Sequence, residues 1–305
     1  MEQSILKDGF RQFYQNNKQR WYYLVLNKRG ELLAKLLPIV VRIYFSAPAF
    51  PLRLLRSLIK RYRNILLQYN FRQSIVMVLV YLLCKPLTPL EYLRFIIANI
   101  RQLRIRIKIL RQFRHIHKHI ECLHSEGELL RIADNMLSKQ MLSGNIVECG
   151  TYGGGATCKL SILARLTGRK VIAYDSFEGL PMPINEETKF FAKGDYMTPL
   201  ELFEHNLAHY GEPDYVQAEV GWFNKTITET CPEQIVLIFE DADIYESVSV
   251  CIDKLWGNLN QGCRMYTHEM LFPFTLNAYK ERGLMVNKVG YGLRITTHNL
   301  GYVEK

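Results

Sequence analysis

Three stretches of this 305-residue chain combine residue types that can do chemistry. The first is Glu148-Cys-Gly-Thr-Tyr-Gly-Gly-Gly155, followed 25 residues after Gly150 by Asp175. Glycine tolerates positive φ and lets a ligand lie close against the backbone. An acid at that spacing beyond a glycine-rich turn accepts two ribose hydroxyls. Glu148 suits an ammonium better than a phosphate, so the pair points to a nucleoside that carries an amino acid rather than a pyrophosphate. S-adenosylmethionine (SAM) has that chemistry: a ribose, an ammonium and a carboxylate. Taken singly, the glycine turn is equally a structural turn and Asp175 a helix cap. The second stretch is Glu240-Asp-Ala-Asp243, and the third is Thr267-His-Glu269. Asp241 and Glu269 offer hard oxygen ligands, whereas His268 offers an imidazole that titrates near neutral pH.

These residues need a scaffold that gathers them, and the hydrophobic pattern supplies one. Short β-prone runs at 145–149, 170–174, 215–219, 234–239 and 264–267 alternate with helical patterns at 156–166, 199–210, 247–259 and 276–282. Runs at 285–289 and 293–297 read as a closing hairpin. Such alternation predicts an α/β fold, a mostly parallel Rossmann-like sheet covered by helices on both faces. Ligands bind such sheets beyond the carboxyl ends of the strands, which is where the acids and glycines stand. The polar loop from Phe177 to Tyr196, with Gly179 and Gly194, is long enough to serve as a lid.

Longer segments sharpen the reading. Ile146-Val-Glu-Cys-Gly150, Tyr174-Asp-Ser-Phe-Glu-Gly-Leu-Pro181, Lys193-Gly-Asp-Tyr196, Gly221-Trp-Phe223 and Asp241-Ala-Asp-Ile-Tyr-Glu-Ser247 occur in this order. The region from about Glu126 to Arg294 thereby resembles the macrocin O-methyltransferase (TylF-type) family of SAM-dependent sugar O-methyltransferases. The resemblance implies a class I methyltransferase fold, SAM as methyl donor, and a divalent metal, magnesium typically, that orients the acceptor hydroxyl. Carried over by position, Glu148, Gly150, Tyr152 and Gly153 line the methionine side. Asp175 and Ser176 hold the ribose, and Gly221 and Trp222 lie near the adenine. Asp241 is the first metal carboxylate, with Asp243 behind it or capping a helix and Tyr245 in the wall.

One departure bears on mechanism. Where the family usually carries Asp-Asp-Tyr, this chain reads His268-Glu269-Met270. Three readings stand. His268 and Glu269 join Asp241 around a metal, with manganese or zinc as alternatives to magnesium because imidazole suits softer ions. Or His268 is the general base and no metal is needed. Or the acceptor site has decayed, leaving a SAM-binding, membrane-associated scaffold. A nicotinamide enzyme is disfavoured because no clean GxGxxG spacing is present. The implied acceptor is a small-molecule or glycolipid hydroxyl, on a sugar or a glycosylated natural product, and a homo-oligomer is compatible with the sequence.

The charge is divided unevenly. Residues 1–120 carry 23 Lys/Arg against 4 Asp/Glu, leaving 16 against 25 for the remainder of the chain. The sequence is therefore read as a basic helical region, 1–120, and a methyltransferase domain, 121–305. Leu93, Ile96, Ile100, Leu103, Ile107 and Leu110 repeat at helical spacing, with Arg94, Arg101, Arg104, Lys108 and Arg111 on other faces. That stripe predicts a helix lying on an anionic membrane surface, or alternatively the core of a small bundle. The alternation from Arg104 to Ile109 is also that of a strand. No apolar run approaches the roughly twenty residues a spanning helix needs. Nucleic acid is not expected, since no RNA-binding or zinc-finger signature occurs. Seven cysteines without a CxxC pair, and a polar N-terminus without a signal peptide, predict reduced thiols and a cytoplasmic protein, peripheral on the inner face of the membrane in the surface-bound reading.

Overall fold

A computed structural model describes residues 88–138, 142–268, 272–289 and 300–305. They all belong to a compact unit that runs from Leu83 to Lys305. Three helices lead in: α1 (Thr88–Ile97), α2 (Leu103–His119) and α3 (Glu126–Ser138). Five strands then alternate with helices: β1 (Asn145–Cys149), α4 (Gly155–Thr167), β2 (Val171–Asp175), α5 (Leu200–Tyr210), β3 (Val216–Val220), α6 (Phe223–Thr230), β4 (Ile235–Glu240), α7 (Tyr245–Leu255) and β5 (Leu259–Thr267). α8 (Pro273–Glu281), β6 (Asn287–Lys288) and β7 (Gly301–Glu304) complete the unit.

The sheet has the order β3-β2-β1-β4-β5-β7-β6, parallel except where β7 pairs antiparallel with β5 and β6. It is the expected α/β fold of class I SAM methyltransferases. All six residues of β4 are buried, as a central parallel strand covered on both faces requires. Register fixes what happens at the edge. Cys149 pairs with Glu240, and Glu240 pairs with Thr267, so Gly150, Asp241 and His268 each emerge one residue beyond the same level of the sheet.

The described helices revise three expectations. The stripe from Leu93 to Leu110 is not one helix: the chain breaks after Ile97, and the Asn99 side chain accepts from the Arg101 N–H to start a short 3-10 turn. Leu93, Ile100 and Leu103 are exposed, and α2 instead buries Ile109, Leu110, Phe113 and Ile116. Second, the expected boundary at residue 120 falls inside the compact unit, because those α2 side chains share one core with the sheet. Third, the alternating run from Arg104 to Ile109 lies in α2, and Arg106 within it is no surface charge. It is buried, with Nη1 2.7 Å from Asp134 Oδ1 and 2.9 Å from the Phe95 carbonyl oxygen, and it also donates to Gln102. A guanidinium that ties three helices by several donors uses the fork geometry a lysine lacks. Arg104–Ile109 is helix, not strand; Arg94, Arg101, Arg104, Lys108 and Arg111 are exposed as expected.

Smaller differences have local causes. α6 was not legible because Phe223–Thr230 contains three threonines, poor helix formers whose χ1 is restricted. All three, Thr226, Thr228 and Thr230, satisfy their hydroxyls on carbonyls four residues back. α8 starts at Pro273, acceptable in a first turn where the N–H has no partner to lose. β6 pairs with 301–304 rather than 293–297, a segment outside the described residues.

Candidate functional site

The glycine-rich turn is held by Asp175. Its Oδ2 accepts from the Thr151 N–H at 2.7 Å, the Thr151 hydroxyl at 3.1 Å and the Tyr152 N–H at 3.2 Å, while Oδ1 accepts from the Phe177 N–H at 2.8 Å. The end of β2 is thus stitched to the turn after β1. The Gly221 N–H donates to the Asp175 carbonyl at 2.9 Å, which draws the end of β3 to the same place. Trp222 follows, partly exposed, at the start of α6. Ser176 closes a small turn, accepting from the Glu178 N–H and donating to the Gly179 carbonyl. Gly153 is held through its carbonyl by Asn206 of α5, at 2.8 Å.

Backbone strain collects at this edge. Tyr152, Phe177, Tyr196 and Asp243 all have positive φ without being glycine. They follow β1, β2, the 177–196 loop and β4, and such strain persists only where surrounding contacts over-determine it.

Glu148 lies beneath the turn. It is fully buried, and neither carboxylate oxygen has a hydrogen-bond partner. Burial pushes its pKa well above the ordinary range, and the carboxylates of Asp241 and Asp175 push the same way; the Thr157 hydroxyl, though it makes no bond of normal geometry, and the buried Lys159 act in the opposite direction. A buried carboxyl without a partner is costly unless a cationic ligand completes it. An ammonium would.

The second half of the site joins β4 and β5. His268 Nδ1 is 3.2 Å from Asp241 Oδ1, and Nε2 is 3.4 Å from Glu128 Oε2. The side chains of His268 and Glu128 are 10% and 4% exposed, against 21% for Asp241, so Asp241 is the member that meets solvent. Burial alone would lower the His268 pKa, but the two flanking carboxylates outweigh it and hold the ring well above its usual value. Glu128 is fixed from behind. Its Oε2 accepts from the Ser125 N–H at 2.7 Å and the Ser125 hydroxyl at 3.0 Å, while the Glu128 N–H donates back to that hydroxyl. This reciprocal capping box starts α3.

Two of the three residues expected around a metal, Asp241 and His268, are described. Asp241 and His268 do meet, but both ring nitrogens face carboxylates on opposite sides, and Glu269 lies outside the described residues. Among the described residues, no three potential ligands converge on one point. The described donors, Asp241 and His268, face one another rather than a common ion. Asp243 leaves its carbonyl to the Thr275 hydroxyl, and the Tyr245 hydroxyl donates to Glu281, consistent with a place in the wall.

The 177–196 loop packs down. Leu180, Phe191 and Ile244 form a second small core with Phe190, Phe272 and Phe274 around it. Buried Glu187 accepts from the Ile184 N–H and, 58 residues away, from the Tyr245 N–H at 2.7 Å, a long-range cap on α7. Sequence reasoning missed Glu187, Glu128 and Lys159. Ser125-x-x-Glu128 is a helix-start signal, but nothing in it says that the acid also faces His268.

Part of the chain resembles known proteins. Residues 128–270 match the family of macrocin-O-methyltransferases (TylF). The family resemblance read from the motifs is shown for the segment that carries them. A 4'-O-methyltransferase of Streptomyces olivaceus that acts on 8-demethyl-8-(2,3-dimethoxy-alpha-L-rhamnosyl)-tetracenomycin-C is 30% identical over 130 residues, 39% of this chain. The chain spans 50% of that relative's length. Among solved structures, the O-methyltransferase NovP superposes with a TM-score of 0.51 at 19% identity, covering 60% of this chain and 82% of NovP, a likeness of fold. The calicheamicin methyltransferase CalS11 covers 66% of this chain and 92% of its own, at 13% identity and a TM-score of 0.48.

Proposed function

We propose that this chain transfers the SAM methyl group to a hydroxyl of a sugar, on a glycosylated natural product or glycolipid. The observation that carries the reading is the convergence, at one sheet edge, of the strained glycine turn, the ribose-type acid Asp175, the orphaned Glu148 and the Asp241–His268 pair. The acceptor class is supported by the family match and by the rhamnosyl substrate in the relative's name.

SAM, when bound, supplies a methyl already activated on a sulfonium. Glu148 receives the ammonium, and the N–H groups around Gly150 to Gly153 approach the methionine end. Asp175 takes the ribose and Ser176 orients the loop beside it, with Gly221 and Trp222 toward the adenine. The acceptor hydroxyl oxygen bonds to the methyl carbon as the sulfonium C–S bond breaks, and its proton passes to the Asp241 carboxylate, which His268 flanks. Positioning is the main task, because the leaving group needs no further activation. The packed aromatic cluster under the 177–196 loop excludes water from one side of that path.

The deciding experiment incubates the full chain with methyl-radiolabelled SAM and an extract of cell lipids and glycans. Label in a glycosylated product, released by mild acid together with a methyl sugar, is the expected result. Label confined to protein or to non-glycosylated phenols would defeat the acceptor class, and binding of NAD in place of SAM would defeat the family reading.

Glu148 gives a second expectation. Burial raises its pKa without ligand, and an ammonium opposite it lowers that pKa. SAM binding must then release a proton, and affinity must rise with pH between the ordinary carboxylate range and the raised value. Calorimetry in phosphate and in Tris, whose ionisation heats differ, should give different apparent enthalpies. Equal enthalpies in the two buffers would remove Glu148 from the ammonium site.

The basic surplus of residues 1–120 supports a role for anionic lipid near the acceptor; most of that segment lies outside the described residues. No helix of the described residues is long and apolar enough to cross a membrane. Full-length protein should co-sediment with phosphatidylserine vesicles and release as salt rises, each basic residue near the surface contributing about 1 kcal/mol. Equal recovery on neutral vesicles would contradict it.

A further inference from the structure

Acceptor activation in the reading above leaves one question that the geometry addresses: what balances the charge of Asp241. Asp241 Oδ1 has His268 Nδ1 at 3.2 Å. The same ring presents Nε2 to Glu128 at 3.4 Å, and Glu128 is locked by two Ser125 donors. The ring cannot turn either nitrogen to an ion without leaving one of these carboxylates. Behind it stands His124, also buried, 6.2 Å away ring to ring and perpendicular. His124 Nε2 is 3.1 Å from the ammonium of Lys159, itself fully buried, and that ammonium also lies 3.4 Å from Cys122 Sγ. The inner side of the ring is therefore filled by packed side chains. Magnesium keeps several waters and demands near-octahedral oxygen ligation. A bracketed imidazole offers no oxygen, and both of its nitrogens already face carboxylates.

We infer that the His268 imidazole, bracketed by Asp241 and Glu128, occupies the cation position at the acceptor site, so that this chain needs no divalent ion there, and that Glu128 is the residue that positions it. The inference rests on the proposed function for its meaning but not for its test, which needs no acceptor. Glu128 comes from α3, before β1, and no motif quoted from the sequence includes it. Its dual duty explains a buried acid at a helix start: the same oxygen, Oε2, takes the Ser125 donors and faces His268.

Two measurements on the full chain test the inference. The first is Mn2+ titration followed by electron paramagnetic resonance. The unaltered protein should show no saturable site below about 1 mM, a weakness in keeping with donors already engaged by one another. His268→Asp removes the bracketed ring and sets two carboxylates side by side at the strand ends, and should gain a saturable site at least tenfold tighter. Saturable micromolar binding by the unaltered chain that is lost in Asp241→Asn would overturn the proposal, as would a His268→Asp protein that gains none.

The second concerns Glu128, by 15N spectra of histidine-labelled protein, with His268 assigned by its loss in His268→Gln. Glu128→Ala should move the Nε2 resonance and leave Nδ1, held by Asp241, in place, with SAM affinity within about threefold. Ser125→Ala separates this from folding. It removes the hydroxyl half of the cap, so it lowers stability but should leave Nε2 unmoved. Were Nε2 the same in Glu128→Ala as in the unaltered chain, or moved equally by Ser125→Ala, Glu128 would be a helix cap and nothing more. Failure here leaves methyl transfer from SAM untouched, so the two readings fall separately.

Discussion

Asp175→Ala should bind SAM at least a hundredfold more weakly than the unaltered chain while remaining folded. Two effects add. The ribose loses charge-assisted hydrogen bonds, each worth about 1.5–3 kcal/mol at most. The protein also loses the three bonds that Oδ2 accepts from Thr151 and Tyr152, and the one Oδ1 accepts from Phe177. The glycine turn, already strained at Tyr152, would then sample other conformations, and ligand affinity falls with the fraction of molecules that hold the competent one. Asp175→Asn distinguishes the contributions. It keeps the shape and one acceptor oxygen but not the charge, so an intermediate loss of about tenfold is expected. Calorimetric titration with SAM provides the measurement. Unchanged affinity in folded Asp175→Ala would show that the carboxylate serves only the turn, and that the turn does not serve the ligand.

Gly150→Ala should be the most damaging single change in the described part of the chain. A Cβ at this position would stand 2.1 Å from the Asp241 carbonyl oxygen, and φ is +86°, which side chains other than glycine rarely adopt. The clash is with backbone, and that backbone is fixed: the Asp241 N–H donates to the Cys149 carbonyl at 2.9 Å. Neither strand end can retreat without opening the sheet where the site is built. The strain alone is about 1–3 kcal/mol, and the forced separation raises the total to roughly 4 kcal/mol. For a unit of this size that corresponds to a melting temperature lower by about 10 °C. SAM binding should be lost beyond detection, because the displaced atoms are those that face the ligand. Gly168→Ala is the matched comparison: φ is +67°, yet nothing lies within 4 Å of its Cβ, so only about 1 kcal/mol should be lost. Thermal unfolding of the two variants side by side checks this, and similar melting temperatures would mean that the contact between the ends of β1 and β4 is not tight in solution.

Much of the scaffold could be read from the chain. Short runs bounded by glycines and acids placed β1 to β5 within a residue or two of their starts or ends, apart from the early start of β5; for β2 and β4 this is because a buried parallel strand leaves a continuous hydrophobic signature. The order of motifs led to the family, and the family match begins at Glu128 and ends at Met270, around the segments quoted for it. Asp175 and Gly150 were legible for a similar reason: their place at the strand ends follows from local backbone and from short spacing.

What escaped were the matters that depend on which faces meet. The stripe from Leu93 to Leu110 is genuinely periodic, yet periodicity says only that one face differs from another. Tertiary packing chose Ile109, Phe113 and Ile116 for the core and made Arg106 an internal tie. His268 shows the same limit more sharply. The sequence determined that an imidazole stands beside an acid at a strand end, and left open a ligand, a base or a remnant. Only the three-dimensional structure, by aligning β4 with β5 and laying α3 across them, put Asp241 on one ring nitrogen and Glu128, 140 residues earlier in the chain, on the other. The physical reason is that a side chain's chemistry is set by groups within a few ångströms of it, and in a crossover-connected parallel sheet those groups come from distant positions whose meeting is decided by strand register and helix packing, quantities that no local pattern of residues encodes.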